Sequence, residues 1–264
     1  RILNPNNKYF SVVGAPVISG TKIQHITPMR SCQKAQTIDE VQTWLKKVLT
    51  KRVALIIEPK IDGFSATIKY MNGKLQYIAT RGDGEIGEDI TYITQYMNGI
   101  PKTIDAKDEL EVRGELYLPK NTKYQPTDGK TLDNLRNIAV GLVKRKSDRE
   151  DIKYVKFVAY QIISERYPTE SSKINQLLHW GFQVVSVQNA MSVRQINEYY
   201  ELYKSTLRDR WPYATDGLVI VVDECDLHDE INDKYTVGHH NHYNIAFKPP
   251  AESKETEIVY VEWN

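Results

Sequence analysis

The sequence predicts an α+β fold whose sheets are mainly antiparallel, and three observations support this class. Tyrosine and β-branched residues, which favour strands, are plentiful, with 17 tyrosines in 264 residues. The predicted strands and helices follow one another without the regular strand–helix–strand alternation of a parallel sheet. An Asn72-Gly73 pair joins two short apolar runs, as in a two-residue β-hairpin.

The first 50 residues predict an extended lead-in followed by one helix. Residues 1–30 mix polar and apolar side chains with scattered prolines, which is typical of extended chain. A helix is expected from Thr37 to Leu49, because Thr37 is a favourable N-cap and Glu40 follows at the third helical position. Apolar residues recur along one face of this helix, at Val41, Trp44, Leu45 and Val48.

The rest of the chain predicts further strands and helices from its apolar runs. Strands are expected at 53–60, 66–70, 75–80, 111–118, 156–163, 218–222, 245–248 and 258–263. Helices are expected at 134–146, at 171–180, where Gly181 ends the helix, and at 193–207.

The composition limits the classes of function. The formal net charge is only +1, whereas a dedicated DNA-binding module is usually more basic, so a small anionic ligand is favoured, with DNA held partly by other domains. Cys32 and Cys225 are too few for a four-cysteine zinc site and do not suggest a disulfide scaffold, which favours a reducing compartment. No apolar stretch is long enough to span a membrane and no signal peptide is evident, so we expect a cytoplasmic protein.

The first motif with chemical meaning is Glu58-Pro59-Lys60-Ile61-Asp62-Gly63. On a strand, residues 58, 60 and 62 share one face, so a lysine lies between two carboxylates at the end of an apolar run. Such charges commonly form a surface ion-pair ladder. The alternative is a nucleophilic lysine, whose amine must lose its proton before it attacks.

Four further segments carry polar residues next to strands. A glycine-rich segment, 80–91, follows a strand and contains Arg81, which can contact a phosphate or ribose, although a solvated loop also explains it. Glu111, Arg113 and Glu115 share one strand face, and Gly114 among them is typical of close approach by a ligand or by backbone. Two other segments place Asp216-Gly217 before an apolar strand and Lys248 after one.

In this order the five segments resemble the NAD-dependent DNA ligases, and the match runs from Pro28 to Pro250. Lys-x-Asp-Gly is common to all covalent nucleotidyltransferases, whereas Thr80-Arg81-Gly82-Asp83-Gly84 and the residues after it are specific to the NAD-dependent branch. The resemblance implies the nucleotidyltransferase (adenylation) fold, with the nucleotide pocket between antiparallel sheets flanked by helices.

The resemblance also implies a role for individual residues. Lys60 would attack the α-phosphate of NAD, release nicotinamide mononucleotide and retain AMP, which the whole enzyme would use to seal nicks in duplex DNA. Catalysis would involve Lys60, Asp62, Asp216 and Lys248. The nucleotide would contact Ser31, Cys32, Glu58 (adenine), Arg81 and Glu115 (ribose), Tyr160 (stacked on adenine) and Lys248 (phosphate). Mg²⁺ would lie near Asp62, Glu115 and Asp216, and DNA phosphates near Arg136, Lys144 and Arg208.

The chain departs from the family pattern most clearly at Val221, where a lysine that binds nucleotide phosphate is usual. Two outcomes are open. Adenylation is slower, or another cation such as Lys69 or Lys144 substitutes for the lysine. Leu135 replaces the proline of the family's Asn-Pro-Arg-Asn run, and Tyr243 replaces a tryptophan.

The predicted organisation is a single adenylation domain over residues 1–264. Residues 1–50 form the lead-in and first helix, 51–250 the core that bears the motifs, and 251–264 the start of a connection to an OB-fold. We expect the parent protein to add an N-terminal subdomain that binds the nicotinamide half of NAD, and we expect a monomer. Two alternatives are an ATP-using nucleotidyltransferase of the RNA-ligase type and a catalytically weakened nick-binding module.

Overall fold

The computed structural model describes residues 20–49, 53–126, 131–164, 166–235, 240–248 and 250. Its strands are β1 (Lys22–Gln24), β2 (Ser31–Ala35), β3 (Leu55–Ile61), β4 (Phe64–Met71), β5 (Lys74–Thr80), β6 (Ile86–Glu88), β7 (Leu110–Tyr117), β8 (Lys156–Ile163), β9 (Gln188–Ala190), β10 (Thr215–Val222) and β11 (His240–Phe247). Its α-helices are α1 (Ile38–Val48), α2 (Leu135–Lys144), α3 (Glu170–His179), α4 (Val193–Leu202), α5 (Arg208–Arg210) and α6 (Asp226–Asp233).

One of the two large sheets has five strands in the order β2-β11-β10-β3-β9. Its neighbouring strands are antiparallel except for β11 and β2. The apolar sequence of β3 is buried along nearly its whole length, because other strands cover both of its edges. Helices α1, α4 and α6 pack beside this sheet, where the rings of Tyr200 and Phe247 stack with centroids 3.9 Å apart.

The other large sheet has four strands in the order β5-β4-β7-β8, all antiparallel. The predicted hairpin joins β4 to β5, with positive φ angles of 50° at Asn72 and 73° at Gly73, as a tight two-residue turn requires. Helices α2 and α3 pack on this sheet over buried residues that include Ile68 and Phe157. With one parallel pairing in these two sheets, the predicted fold class is confirmed.

The predicted helices form, and local capping explains their ends. The Thr37 hydroxyl accepts the backbone N–H of Glu40, and the Glu40 carboxylate accepts that of Thr37, which confirms the capping box at α1. Gly181, with a φ of 85°, follows the last turn of α3. The predicted helix at 193–207 is α4 followed by a π-helical turn at Tyr203–Leu207.

Several short elements were not predicted. They are β1, β2, β6, β9, α6 and two 3₁₀-helices at Thr91–Gln95 and Arg149–Tyr154. Three of these strands have only three residues, too few for an alternating pattern to be recognised, and α6 has no side-chain N-cap. β1 pairs with β6, so residues 22–24 of the predicted lead-in form a strand. The predicted strand at 258–263 lies outside the described residues.

Each helix of the described ranges is too short or too polar to span a lipid bilayer.

Candidate functional site

A cavity of about 260 Å³ opens between the five-stranded and four-stranded sheets. Its walls come from β2, β3, β10 and β11 on one side and from β4, β7 and β8 on the other. It is lined by every residue predicted to contact the nucleotide and by the predicted nucleophile: Ser31, Cys32, Glu58, Lys60, Arg81, Glu115, Tyr160 and Lys248. The fold thus gathers residues that are up to 217 positions apart in sequence (248 − 31).

The strand register orders the polar groups along the cavity floor. Lys60 lies opposite Gly217 and Glu58 lies opposite Val219. Directly opposed residues of an antiparallel pair point to the same face, so Lys60 and Glu58 occupy successive rows about 7 Å apart. The cavity therefore has an amine end and a carboxyl end.

Two lysines share one carboxylate at the amine end. Asp216 Oδ1 lies 3.4 Å from Lys60 Nζ, and Lys248 Nζ donates a hydrogen bond to Asp216 Oδ2. Gly217 permits this approach of β10 to β11, because a Cβ there would lie 2.4 Å from the carbonyl oxygen of Phe247. Asp216 therefore orients both amines toward the same end of the cavity.

Glu58 at the carboxyl end is 7% exposed and has no hydrogen bond or ion pair to any residue that the structure describes. Burial, followed by the charges of Glu170 and Asp223, raises its pKa well above the usual range. A buried carboxyl group that lines a cavity without a protein partner is available to a ligand.

Glu115 lines the cavity from β7 of the four-stranded sheet, and Lys60 is among the cations that act on it. The Ser65 hydroxyl donates to Glu115 Oε1, while Oε2 is buried without a hydrogen-bond partner among the described residues. Burial raises the pKa of Glu115 to about 7, against the lowering effect of the Ser65 hydrogen bond and of nearby cations. Gly114 beside it serves the packing of β7 on β8, since a Cβ there would lie 2.3 Å from the Val158 carbonyl oxygen.

Two arginines tie the chain ahead of β2 to the four-stranded sheet. Arg81 donates from Nε to the Met29 carbonyl and from Nη2 to the Ser31 hydroxyl, both at 2.9 Å. The Arg113 guanidinium donates to the carbonyl oxygens of Thr27 and Pro28. Arg81 is the one residue of the glycine-rich segment that lines the cavity, and Arg113 lines it without having been predicted to. The rest of the segment forms a turn around Asp83.

The three carboxylates predicted to hold a metal have separate partners. Asp62 accepts a hydrogen bond of 3.1 Å from Arg136, Glu115 accepts one from Ser65, and Asp216 holds two lysines. Among the described residues, the one group of three potential ligands within 4.8 Å of one another is Glu170, Cys225 and His228. Lys173 Nζ lies 2.8 Å from Glu170 Oε1, so an ammonium group already neutralises that cluster.

The predicted DNA contacts lie on the surface. Arg136 pairs with Asp62, and its side chain is 56% exposed. Lys144 lies 3.4 Å from Glu88 and 5.9 Å from the centre of the Phe64 ring. Arg208 is exposed in α5. All three guanidinium or ammonium groups are thus outside the cavity, where a polyanion could reach them.

Two lysines, Lys69 and Lys144, were expected as substitutes for a lysine at position 221. Neither of them lines the cavity. Lys69 pairs with Glu109, and Lys144 pairs with Glu88. Val221 itself lies at the cavity wall but is four residues along β10 from the Gly217 that faces Lys60. That separation is about 13 Å along the strand, and the expectation that a lysine at position 221 would bind nucleotide phosphate stays a prediction.

The sequence matches a known family model and known relatives. The model described as "NAD-dependent DNA ligase adenylation domain" matches residues 19–252. The DNA ligase of Metamycoplasma arthritidis (strain 158L3-1) is 34% identical over 251 residues, which cover 90% of this chain and 37% of that protein. The DNA ligase of Psychrobacter sp. (strain PRwf-1) is 29% identical over 282 residues, covering 100% of this chain and 40% of that protein. The chain spans about two fifths of the length of these relatives.

Proposed function

This chain belongs to the NAD-dependent DNA ligase adenylation domain family, and we therefore propose that it transfers AMP from NAD to Lys60, the first step of nick sealing. The observation that carries the proposal is the pair of lysines that share Asp216 at one end of the cavity. One amine can act as nucleophile while the other remains charged beside the phosphate.

The step conserves atoms and charge. A bond forms between Lys60 Nζ and the α-phosphorus of NAD, and the bond from that phosphorus to the bridging oxygen breaks. Nicotinamide mononucleotide leaves with the electron pair of the broken bond. Asp216, whose Oδ1 is 3.4 Å from Lys60 Nζ, takes the proton from the amine. Lys248 stabilises the charge that develops on the non-bridging phosphate oxygens.

Other residues of the cavity bind and orient AMP in this proposal. Glu58 contacts the adenine, since it is buried, lines the cavity and has no described protein partner. Arg81 and Glu115 contact the ribose, and Tyr160 supplies an aromatic face for the base. Ser31 and Cys32 of β2, which also line the cavity, complete the nucleotide contacts.

The residues at the phosphate end suit Mg²⁺, which prefers a few carboxylate oxygens together with phosphate oxygens. Glu115 Oε2 has no hydrogen-bond partner among the described residues and is available as a ligand. Asp216 and Asp62 would hold the cation in exchange for their ion pairs with Lys60 and Arg136. When bound, the cation would neutralise phosphate charge.

Nicked duplex DNA is the proposed acceptor for the whole protein, which would pass AMP to a 5′-phosphate and join that end to a 3′-hydroxyl. The exposed cations Arg136, Lys144 and Arg208 would contact backbone phosphates. We propose that the protein works as a monomer, because one chain supplies every residue assigned to the nucleotide. It would act where NAD and DNA occur together, in a bacterial cytosol or, for a viral protein, in the host cell.

The test compares NAD with ATP, each labelled in the adenylate. The protein is incubated with either nucleotide and separated on a denaturing gel, and its intact mass is measured. We expect label from NAD, lost in Lys60→Ala and retained in Lys46→Ala, which changes an exposed lysine on α1. Label from ATP alone contradicts the NAD-dependent assignment, and nick binding without any adduct supports a binding module instead.

A further inference from the structure

Asn244 presents an unused amide to the cavity. It lies on β11 directly opposite Val221 of β10, and both residues line the cavity. Its Oδ1 is buried and has no hydrogen-bond partner among the described residues. Buried amide oxygens are nearly always hydrogen-bonded in folded proteins, so an unpaired one at a cavity wall indicates a ligand that completes it.

The neighbouring amides behave differently. Gln161 Nε2 and Asn241 Nδ2, which also line the cavity, both donate to the hydroxyl of Tyr243, at 3.3 and 3.2 Å. These two side chains are therefore held by the protein. The unpaired oxygen of Asn244 is therefore not shared by these two amides, although Arg113 Nε and Glu115 Oε2 in the same wall are also unpaired among the described residues.

The register places Asn244 at the end of the cavity away from the phosphate. Ala246 lies opposite Val219, which lies opposite Glu58, so the Asn244 row is one step beyond the Glu58 row and two beyond Lys60. Asn244 is thus about 13 Å along the strands from the Lys60 row. A nucleotide whose phosphate lies at Lys60 and whose base reaches Glu58 presents the far edge of that base to Asn244.

We propose that Asn244 binds the base of the nucleotide and selects a purine that carries an amino group at C6. Its Oδ1 accepts a hydrogen bond from that amino group, and its Nδ2 donates to the adjacent ring nitrogen, the pairing that asparagine makes with adenine in DNA recognition. Glu58 contacts the same base from the neighbouring row. This inference rests on the proposed function, because it takes the phosphate to lie at Lys60.

The test measures binding of AMP and of purine riboside 5′-monophosphate, which lacks only the amino group, by isothermal titration calorimetry. We expect the wild type to bind AMP more tightly than the analogue. Asn244→Ala should weaken AMP binding roughly tenfold and weaken analogue binding by a clearly smaller factor, because the analogue keeps only the contact of the ring nitrogen with Nδ2. Asn244→Leu, closer in size to asparagine, should do the same if the alanine variant does not fold. Asn189→Ala, on the exposed face of β9, should change neither affinity.

Two results would overturn the proposal, and they differ from each other. If the wild type binds both nucleotides equally, or if the Asn244 variants lose both affinities alike, Asn244 does not select the amino group, while the proposed function stands. If the wild type binds neither nucleotide and forms no adduct with NAD, the proposed function fails, and this inference fails with it.

Discussion

Replacing Glu115 by glutamine should stabilise the protein at neutral and alkaline pH, because it removes a carboxyl group whose ionised form is destabilised by burial. The pKa of Glu115 is raised from 4.5 to about 7 in the folded protein. The folded state therefore binds more protons than the unfolded state between these two values. This contribution to stability is fully present below pH 4.5 and is lost as pH rises through 7.

The magnitude follows from the shift. A difference of 2.5 pKa units (7 − 4.5) corresponds to about 3 kcal/mol at 1.36 kcal/mol per unit. Glutamine does not ionise and can still accept the Ser65 hydroxyl. The free energy of unfolding of Glu115→Gln should therefore exceed that of the wild type by about 1 kcal/mol at pH 5 and about 3 kcal/mol at pH 8.

Urea denaturation of both proteins at pH 5, 6, 7 and 8 would measure this difference. Glu85→Gln, at an exposed position of the glycine-rich segment, is the matched control and should track the wild type at every pH. A gap between Glu115→Gln and the wild type that stays constant, or that narrows as the pH rises, would refute the assignment of a raised pKa to Glu115.

Two other changes have defined outcomes. Asp216→Asn should slow adduct formation at Lys60 by about 10²- to 10⁴-fold in single-turnover assays, because the amine loses its nearest proton acceptor. Asp226→Asn, at the exposed start of α6, is the control. An unchanged rate in Asp216→Asn would show that Asp216 does not take part in the step. Gly114→Ala should destabilise the protein by about 1–3 kcal/mol, since its Cβ would lie 2.3 Å from a backbone oxygen. Gly141→Ala, in a helix with open space around it, should stabilise by about 0.5–1 kcal/mol in the same thermal or urea unfolding assay, and equal effects of the two would contradict the packing argument.

Elements whose signals are local could be predicted from the sequence. The capping box of Thr37 and Glu40 and the Asn72-Gly73 turn each act within a few residues, and both are present in the structure. The three-residue strands could not be predicted, because each is defined by its partner and not by its own side chains. β9, for example, exists through its pairing with β3, more than 120 residues earlier (188 − 57).

For the site, the sequence alone determined the family, and the proposed chemistry follows from that family. The order and spacing of the motifs around Lys60, Arg81, Glu115 and Lys248 identified a covalent nucleotidyltransferase and the NAD-dependent branch, which the family match confirms. All four of these side chains line one cavity. Membership of the family is recognised from the identities of residues along the chain, so this inference does not require the three-dimensional structure.

Only the tertiary structure decided how those groups are arranged. It showed that Asp216 joins Lys60 to Lys248, that position 221 is about 13 Å from the Lys60 row, and that Asn244 lies opposite Val221 with an unpaired oxygen. These facts depend on strand register, which is set by the packing of side chains across strands that are distant in sequence. The amino-acid sequence identifies which chemical groups are present. The register of β3, β10 and β11 determines which of these groups can contact the same ligand.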